Sequence, residues 1–135
     1  GQKKKMKLPA SKPMVFRSSD GFEILGGRNN RQNDLLTCKL AQKQDIWLHT
    51  QKIHGSHVII ACAPETPPDQ TVTEAMQLAV FFSQAREGPN VPVDSTRVQN
   101  VKKPAGAKPG MVIYDHYTTA VVTPDTALIE KLREG

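Results

Sequence analysis

The fold is decided first by residues 14–25, which read MVFRSSDGFEIL. Two β-rich runs flank Asp20-Gly21, and an Asp-Gly pair between such runs is a strong hairpin signal. We therefore predict antiparallel strands over 14–18 and 22–25, joined by the turn Ser19-Asp20-Gly21. Gly26-Gly27 then ends the second strand.

Downstream, apolar spacing and breaker residues predict the other elements. The first of these are a short amphipathic helix reaching about Gln42 and strands over 46–50 and 57–61. A second helix is predicted to open with a capping box at Thr71 and Glu74 and to stop at Gly88-Pro89. A β-rich run over 91–101, a hairpin or strand pair within 111–123, and a short helix after Pro124 follow. On strand 46–50, alternation places Ile46 and Leu48 in the core.

This order mixes hairpins with helices and contains no repeated βαβ unit. We predict an α+β fold, a single domain with an antiparallel or mixed β-sheet and about three helices packed on it. A length of 135 residues fits one domain. Residues 1–13 are predicted to form a basic flexible linker, and residues 14–135 the domain.

The formal net charge of +5 is concentrated at the N-terminus. Residues 1–12 contain five lysines and no acid, and without those lysines 13 basic residues balance 13 acidic ones. We expect the tail to attract an anionic partner diffusely, or to be a solvated linker. Any anion site on the domain itself must come from local clustering.

Cys38 and Cys62 are the only cysteines, and they form no CxxC pair. No apolar run approaches the ~20 residues of a membrane span, and residues 1–5 lack the apolar region of a signal peptide. We therefore expect two reduced thiols in a cytoplasmic protein. Because the chain starts at Gly1 without an initiator Met, we also expect it to be a piece of a longer protein.

The polar stretch after Gly27 offers many hydrogen-bond donors at the start of a predicted helix. It lacks the spacing of a P-loop or of a dinucleotide-binding GxGxxG, so nucleotide hydrolysis is not indicated. The stretch favours either helix capping or contact with phosphate. Its candidate RNA-contacting residues are Arg28, Asn29, Asn30, Gln32 and Asn33.

A second group of candidates lies on the strands over 46–50 and 57–61. Trp47 and His49 share one face and are expected to form a half-exposed aromatic and polar surface that stacks bases, unless Trp47 is core. His49, His54 and His57 could together bind zinc, but their spacing matches no closed structural site, and we predict no metal or other cofactor. Ser56 and His57 have no nucleophile elbow or oriented acid, so no catalytic residue is predicted.

The loop over 102–110 contributes three further candidates, Lys102, Lys103 and Lys108. It carries no acid, and Pro104 and Pro109 stiffen it. Such a loop could contact a nucleic-acid backbone by charge alone.

Several of these segments together resemble one known family. They are Asp20-Gly21-Phe22, Gly27-Arg28-Asn29-Asn30 with Gln32-Asn33-Asp34, Asp45-Ile46-Trp47-Leu48-His49, Gly55-Ser56-His57-Val58, and the lysine loop from Val98 to Gly110. In this order they resemble the NFACT-R domain of bacterial RqcH (fibronectin-binding protein A-like) and eukaryotic NEMF proteins, and more closely the bacterial form. The resemblance runs from about Met14 to the end, and it adds Asp45 and Ser56 to the candidates.

The resemblance implies an RNA-binding domain of a ribosome-associated quality-control factor. Proteins of this family bind large ribosomal subunits obstructed by a nascent chain on tRNA, and in bacteria they support template-independent alanine tailing of that chain. The implied partners are large-subunit rRNA or tRNA and the obstructed subunit itself, with no membrane. We expect the domain not to be an enzyme.

Two alternatives remain open from the residues themselves. The first is a protein-docking module that touches no RNA. The second is a metal-dependent RNA-processing enzyme built on His49, His54 and His57.

Overall fold

The computed structural model describes residues 12–133, and the predicted linker therefore lies almost wholly outside the described residues. The elements are β1 (Met14–Arg17), β2 (Glu23–Gly26), α1 (Asn30–Asp34), a π-helical segment (Leu35–Leu40), β3 (Ile46–Thr50), β4 (Val58–Ile60), α2 (Asp69–Phe81), β5 (Val91–Arg97), a 3-10 turn (Val98–Asn100), β6 (Val101–Lys102), β7 (Ile113–Tyr114), β8 (Thr118–Val122) and α3 (Thr126–Leu132).

Six strands form one sheet in the order β1-β2-β4-β3-β5-β8, and β6 pairs with β7 beside it. Every pairing among the described strands is antiparallel. The predicted hairpin is confirmed, with Arg17 opposite Glu23 and Gly21 at φ 89° in its turn. The α+β prediction with three helices is therefore confirmed, and its sheet is antiparallel.

One face of the sheet packs against α2 and α3. Leu48 is fully buried in this core and Ile46 packs against its edge, as the alternation of strand 46–50 predicts. Other buried members of this core are Phe16, Ile24, Val58, Ile60, Ala75, Leu78, Ala79, Val93, Ile129 and Leu132.

The opposite face of the sheet is also covered. Leu25, Trp47 and Ile59 project from three adjacent strands and pack against Leu36 of the π-helical segment and Val98 of the 3-10 turn. Since both faces are covered, the strands at the centre of the sheet are buried on both sides.

The predicted capping box at the start of α2 is wrong. The helix begins at Asp69 after Pro68, two residues before Thr71. The Thr71 hydroxyl instead contacts Ser18 and Asp20, and the Glu74 carboxylate accepts hydrogen bonds from the backbone and hydroxyl of Ser19. These side chains tie α2 to the β1–β2 turn.

Two other boundaries differ from the prediction. Helix α2 ends at Phe81 rather than near Gly88, because the Phe82 carbonyl and the Gln84 N–H bond to the backbone of Ser56 and His54. The first helix stops at Leu40, and its second part is π-helical.

The predicted hairpin within residues 111–123 is also wrong. β7 pairs with β6, whereas β8 pairs with β5 on the edge of the main sheet. The two strands that sequence patterning placed together therefore belong to different sheets.

Both cysteines are free thiols, Cys38 exposed and Cys62 buried, as expected. Within residues 12–133, no helix has the length and apolar character needed to cross a membrane.

Candidate nucleic-acid interface

Gly27 brings the start of α1 against the start of β4. A Cβ at Gly27 would lie 2.0 Å from Oδ1 of Asn33, so only glycine permits this approach. The same Asn33 oxygen accepts a hydrogen bond from the His57 N–H at 3.0 Å. The Ser56 hydroxyl donates to the Gly27 carbonyl at 2.6 Å. Asn33 and Ser56, both predicted RNA contacts, are thus engaged within the fold.

In the polar run at the start of α1, some side chains cap the helix and others are exposed to solvent. Asn29 Oδ1 accepts from the Gln32 N–H at 2.9 Å, and Gln32 Oε1 accepts from the Arg28 N–H at 2.8 Å. This reciprocal pair satisfies the Gln32 N–H of the first helical turn and the Arg28 N–H just before the helix. The side chains of Arg28, Asn29, Asn30 and Arg31 remain exposed, whereas Gln32 is buried.

The lysine loop is held against α1. Lys103 Nζ lies 3.3 Å from Oδ2 of Asp34 and donates to the carbonyls of Lys108 and Met111. Oδ1 of Asp34 accepts from the Gly110 N–H at 2.9 Å. Lys103 therefore closes the loop internally, while Lys102 and Lys108 project into solvent.

His57 is a buried neutral ring that joins three parts of the chain. Its Nε2 donates to the Gly110 carbonyl at 3.1 Å, which leaves Nδ1 to accept from the Thr37 hydroxyl at 2.8 Å. Burial, reinforced by the nearby His49, lowers the pKa of His57 to about 4. Its position opposite the lysine loop makes it a structural link.

The expectation that Trp47 is half-exposed is wrong. Trp47 is fully buried because the π-helical segment and the 3-10 turn cover its face of β3. Its ring stacks on the His49 ring, with 5.7 Å between the centroids. It meets the His57 ring edge-on and the Tyr114 ring at a tilt. Among residues 12–133, the indole Nε1–H has no hydrogen-bond partner.

Asp45 lies at the opposite end of β3 and serves as a structural cap. Its carboxylate accepts hydrogen bonds from the N–H groups of Gln42, Cys62 and Ala63. It is 2% exposed, so it is not positioned to contact RNA with the other candidates.

Three adjoining clefts surround Asn30. The ring cleft, of about 440 Å³, lies between the end of β3 and the 109–114 segment, and includes Trp47, His49, Ile53, Met111 and Tyr114. The turn cleft, of about 580 Å³, includes Gly27, Arg28, His54, Phe82 and Arg86. The outer cleft, of about 490 Å³, includes Asn29, Arg31, Lys108 and Pro109.

The rims of these clefts are cationic. Arg28 and Arg86 line the turn cleft, Arg31 and Lys108 the outer cleft, and Lys52 the ring cleft, and all five side chains are exposed. Among the described residues, no Asp or Glu lines any of the three clefts. The surface is therefore locally positive, although the basic and acidic residues of the domain as a whole balance.

Sequence reasoning missed several residues of this surface. Lys52 lies in the β3–β4 connection, and Met111 and Tyr114 follow the lysine loop. Tyr114 donates its hydroxyl to the buried carboxylate of Asp94, which also accepts from Thr119 and Gln51. The β-rich residues that follow the lysine loop were the only signal in the sequence for Met111 and Tyr114. The sequence did not show which residues Tyr114 would contact.

The three histidines do not form a metal site. Within residues 12–133, no group of three or more His, Cys, Asp or Glu side chains is arranged to hold a metal ion. His57 uses both ring nitrogens within the fold, and His49 Nε2 lies 3.2 Å from the Gly55 carbonyl. The geometry therefore gives no support to the metal-dependent enzyme.

Comparison with known proteins assigns the family. The family model described as "NFACT protein RNA binding domain" matches residues 12–115. The chain belongs to the NFACT-R family. This range contains all the predicted candidate residues of this NFACT-R domain and the residues that line the three clefts.

Relatives of this NFACT-R domain are of the RqcH type. "Rqc2 homolog RqcH" of Bacillus subtilis (strain 168) is 46% identical over 99% of the chain and 24% of the relative. "Ribosome quality control complex subunit NEMF" of Homo sapiens is 33% identical over 52% of the chain and 7% of the relative. The resemblance to the bacterial form is therefore confirmed, and the chain spans about a quarter of the RqcH relative's length.

A solved structure shares the fold. The C-terminal part of the fibronectin/fibrinogen-binding protein from Streptococcus suis matches with a TM-score of 0.87 and 40% identity. The match covers 93% of this chain and 51% of that structure. The fold of this NFACT-R domain is therefore also present in the longer Streptococcus suis chain.

Proposed function

We propose that this domain binds RNA through the three clefts and their cationic rims, as part of an RqcH-type quality-control factor on the ribosome. The observation that carries the proposal is the clustering of five exposed cations around clefts without carboxylates. Phosphate contacts from Lys and Arg supply much of the affinity in protein–RNA complexes. The family description supports the same ligand.

The exposed candidates would contact RNA, and the buried ones would hold the exposed ones in place. Arg28, Asn29, Asn30 and Lys108 are exposed at the clefts and would contact phosphate or ribose directly. Lys102 is exposed outside the clefts and adds to the positive surface. Buried candidates, namely Gln32, Asn33, Trp47 and His57, would act by fixing the shapes of the cleft walls.

The proposal extends to the whole protein through its relatives. We infer that the domain helps a cytoplasmic parent protein to bind large ribosomal subunits obstructed by a nascent chain on tRNA. The parent would support template-independent alanine tailing of that chain. In this scheme the domain contributes rRNA or tRNA contacts and no catalytic group.

RNA titrations at several salt concentrations test the proposal. In Arg28→Ala and Lys108→Ala variants, loss of a phosphate contact should weaken binding and lower the slope of log K against log salt by about 1 each. Lys43→Ala is the matched control, because Lys43 is an exposed cation beside the opposite end of β3. Equal affinities and slopes for all three variants would refute the proposed surface.

The same substitutions in the full-length parent test the role on the ribosome. Arg28→Ala combined with Lys108→Ala should reduce cosedimentation with obstructed large subunits and alanine tailing, at unchanged melting temperature. Wild-type levels of both would show that these cations are not used there.

Protein docking is a second candidate, supported by exposed apolar side chains instead of cations. Four large apolar side chains are 47–65% exposed on the β7 and β8 side of the domain: Met111, Ile113, Tyr117 and Val121. Exposed apolar patches are typical of protein contacts. If docking is the function, Ile113→Ser with Val121→Ser should release the parent from large subunits, whereas Arg28→Ala should not.

A further inference from the structure

We propose that the ring cleft binds a single unpaired nucleobase of the RNA, while cations at its rim hold the flanking phosphates. The inference rests on the proposed function and specifies what the surface recognises. Single-stranded RNA is commonly bound by splayed bases that enter pockets and stack on aromatic side chains. The ring cleft has the contents, charge and rigidity for this role.

The lining of the cleft suits a flat, polarisable ligand. His49 and Tyr114 are half-buried at the cleft, and the His49 ring already stacks on Trp47 with an interplanar angle of 8°. A base placed on the other face of His49 would extend that stack. Met111, 60% exposed, provides an adaptable apolar side chain at the opening. The volume of about 440 Å³ is in the usual range for small-molecule sites.

Charge separates the interior of the cleft from its rim. Burial lowers the pKa values of His49 and His57, so both rings are neutral at neutral pH. Lys52 at the rim and Lys108 in the adjoining outer cleft are exposed cations. A neutral interior beside cations matches a nucleotide, whose base is neutral and whose phosphates are anionic.

The indole of Trp47 contributes to the floor of the cleft. Its Nε1–H is buried and has no acceptor within the described part of the chain. Because this atom is buried, the indole contributes to base binding through its stack with His49 and not through a hydrogen bond.

The cleft is preformed. Its outer wall is attached to the domain at both ends, at Gly110 through Asp34 and His57, and at Tyr114 through Asp94. A wall fixed in this way loses little conformational freedom on binding, which favours affinity.

Trp47 is the only tryptophan in the chain, and its fluorescence therefore reports on the ring cleft alone. The 135-residue chain is titrated with short single-stranded oligouridylate and oligoadenylate, and with an abasic ribose-phosphate oligomer of equal length. Binding is followed by anisotropy of the labelled oligomer, and cleft occupancy by quenching of Trp47. We expect quenching only with bases present, and binding about 5- to 150-fold tighter than for the abasic oligomer.

A pair of charge-matched variants locates the effect. Met111→Glu places a carboxylate at the opening and should abolish both quenching and the preference for bases. Gln99→Glu adds the same charge on an exposed side chain whose backbone bonds to Lys43, away from the cleft, and should preserve both. The melting temperature of each variant shows whether it is folded. The comparison of the three oligomers uses the unmodified chain, so it stands even if a variant does not fold.

The outcomes distinguish this inference from the proposed function. If the three oligomers bind equally and Trp47 is not quenched, or if the two variants behave alike, the base site is refuted although RNA binding stands. If no oligomer binds at low salt, both the base site and the proposed function are refuted.

Discussion

Acidification should destabilise this domain through His57. The ring is buried and neutral, donating to the Gly110 carbonyl and accepting from Thr37. Its pKa is about 4 in the folded protein, against 6.5 for an unperturbed histidine. The unfolded chain therefore binds a proton below about pH 6.5, whereas the folded chain does so only near pH 4.

The sign and size of the effect follow from that difference. The stabilising contribution is fully present above pH 6.5 and is lost as the pH falls toward 4. At 1.36 kcal/mol per pKa unit, the full loss is roughly 3 kcal/mol, of which about 2 kcal/mol has gone by pH 5. This is a large fraction of the stability of a small domain.

Urea denaturation across this pH range measures the loss. A His57→Gln variant keeps a neutral donor and acceptor but no titratable ring, so its stability should change much less between pH 7.5 and 5. His116→Asn is the matched control, because His116 is exposed at φ 51°, a conformation that Asn tolerates. It should retain the wild-type pH dependence. Parallel curves for wild type and His57→Gln would refute the reasoning.

Three further predictions concern packing and the tail. Gly27→Ala should lower the free energy of unfolding, measured by urea denaturation, by at least about 2 kcal/mol, because the new Cβ overlaps Asn33 and breaks the hydrogen bond between Asn33 and His57. Gly88→Ala is the control: a Cβ there has its nearest contact at 3.6 Å, so the free energy of unfolding should change by less than about 0.5 kcal/mol. Leu48→Ala should cost about 2–5 kcal/mol, and a loss under about 1 kcal/mol would mean that its face of β3 is not core. Deleting residues 1–12 should weaken RNA binding and flatten its salt dependence while preference among RNAs survives; an unchanged slope would show that the tail makes no phosphate contacts.

The candidate site was only partly readable from the sequence. Arg28, Asn29, Asn30 and Lys108, singled out as candidate RNA contacts, are exposed and line the clefts around Asn30. Lys103 was expected to face RNA in the same way, but Asp34 and two loop carbonyls bind its ammonium group. Polarity in a sequence does not distinguish a side chain that contacts a ligand from one that satisfies the fold's own backbone.

Several features were determined by the sequence alone, because they depend on neighbours a few positions apart. The hairpin at Asp20-Gly21 needs only the turn preference of that pair, and the burial of Leu48 follows from alternation against an apolar face. The α+β class follows from the order of such local elements. The family motifs are likewise contiguous stretches, which is why the resemblance could be stated without coordinates.

Other features were decided only by the tertiary structure, because their partners are distant in sequence. Alternation gives β3 two faces, but Trp47 is buried only because the π-helical segment and the 3-10 turn fold over it. The neutral state of His57 depends on its burial and on the nearby His49, and its ring bonds to Thr37 and Gly110, 20 and 53 positions away. No local propensity encodes such pairings, since each becomes favourable only when the whole chain has collapsed around one core.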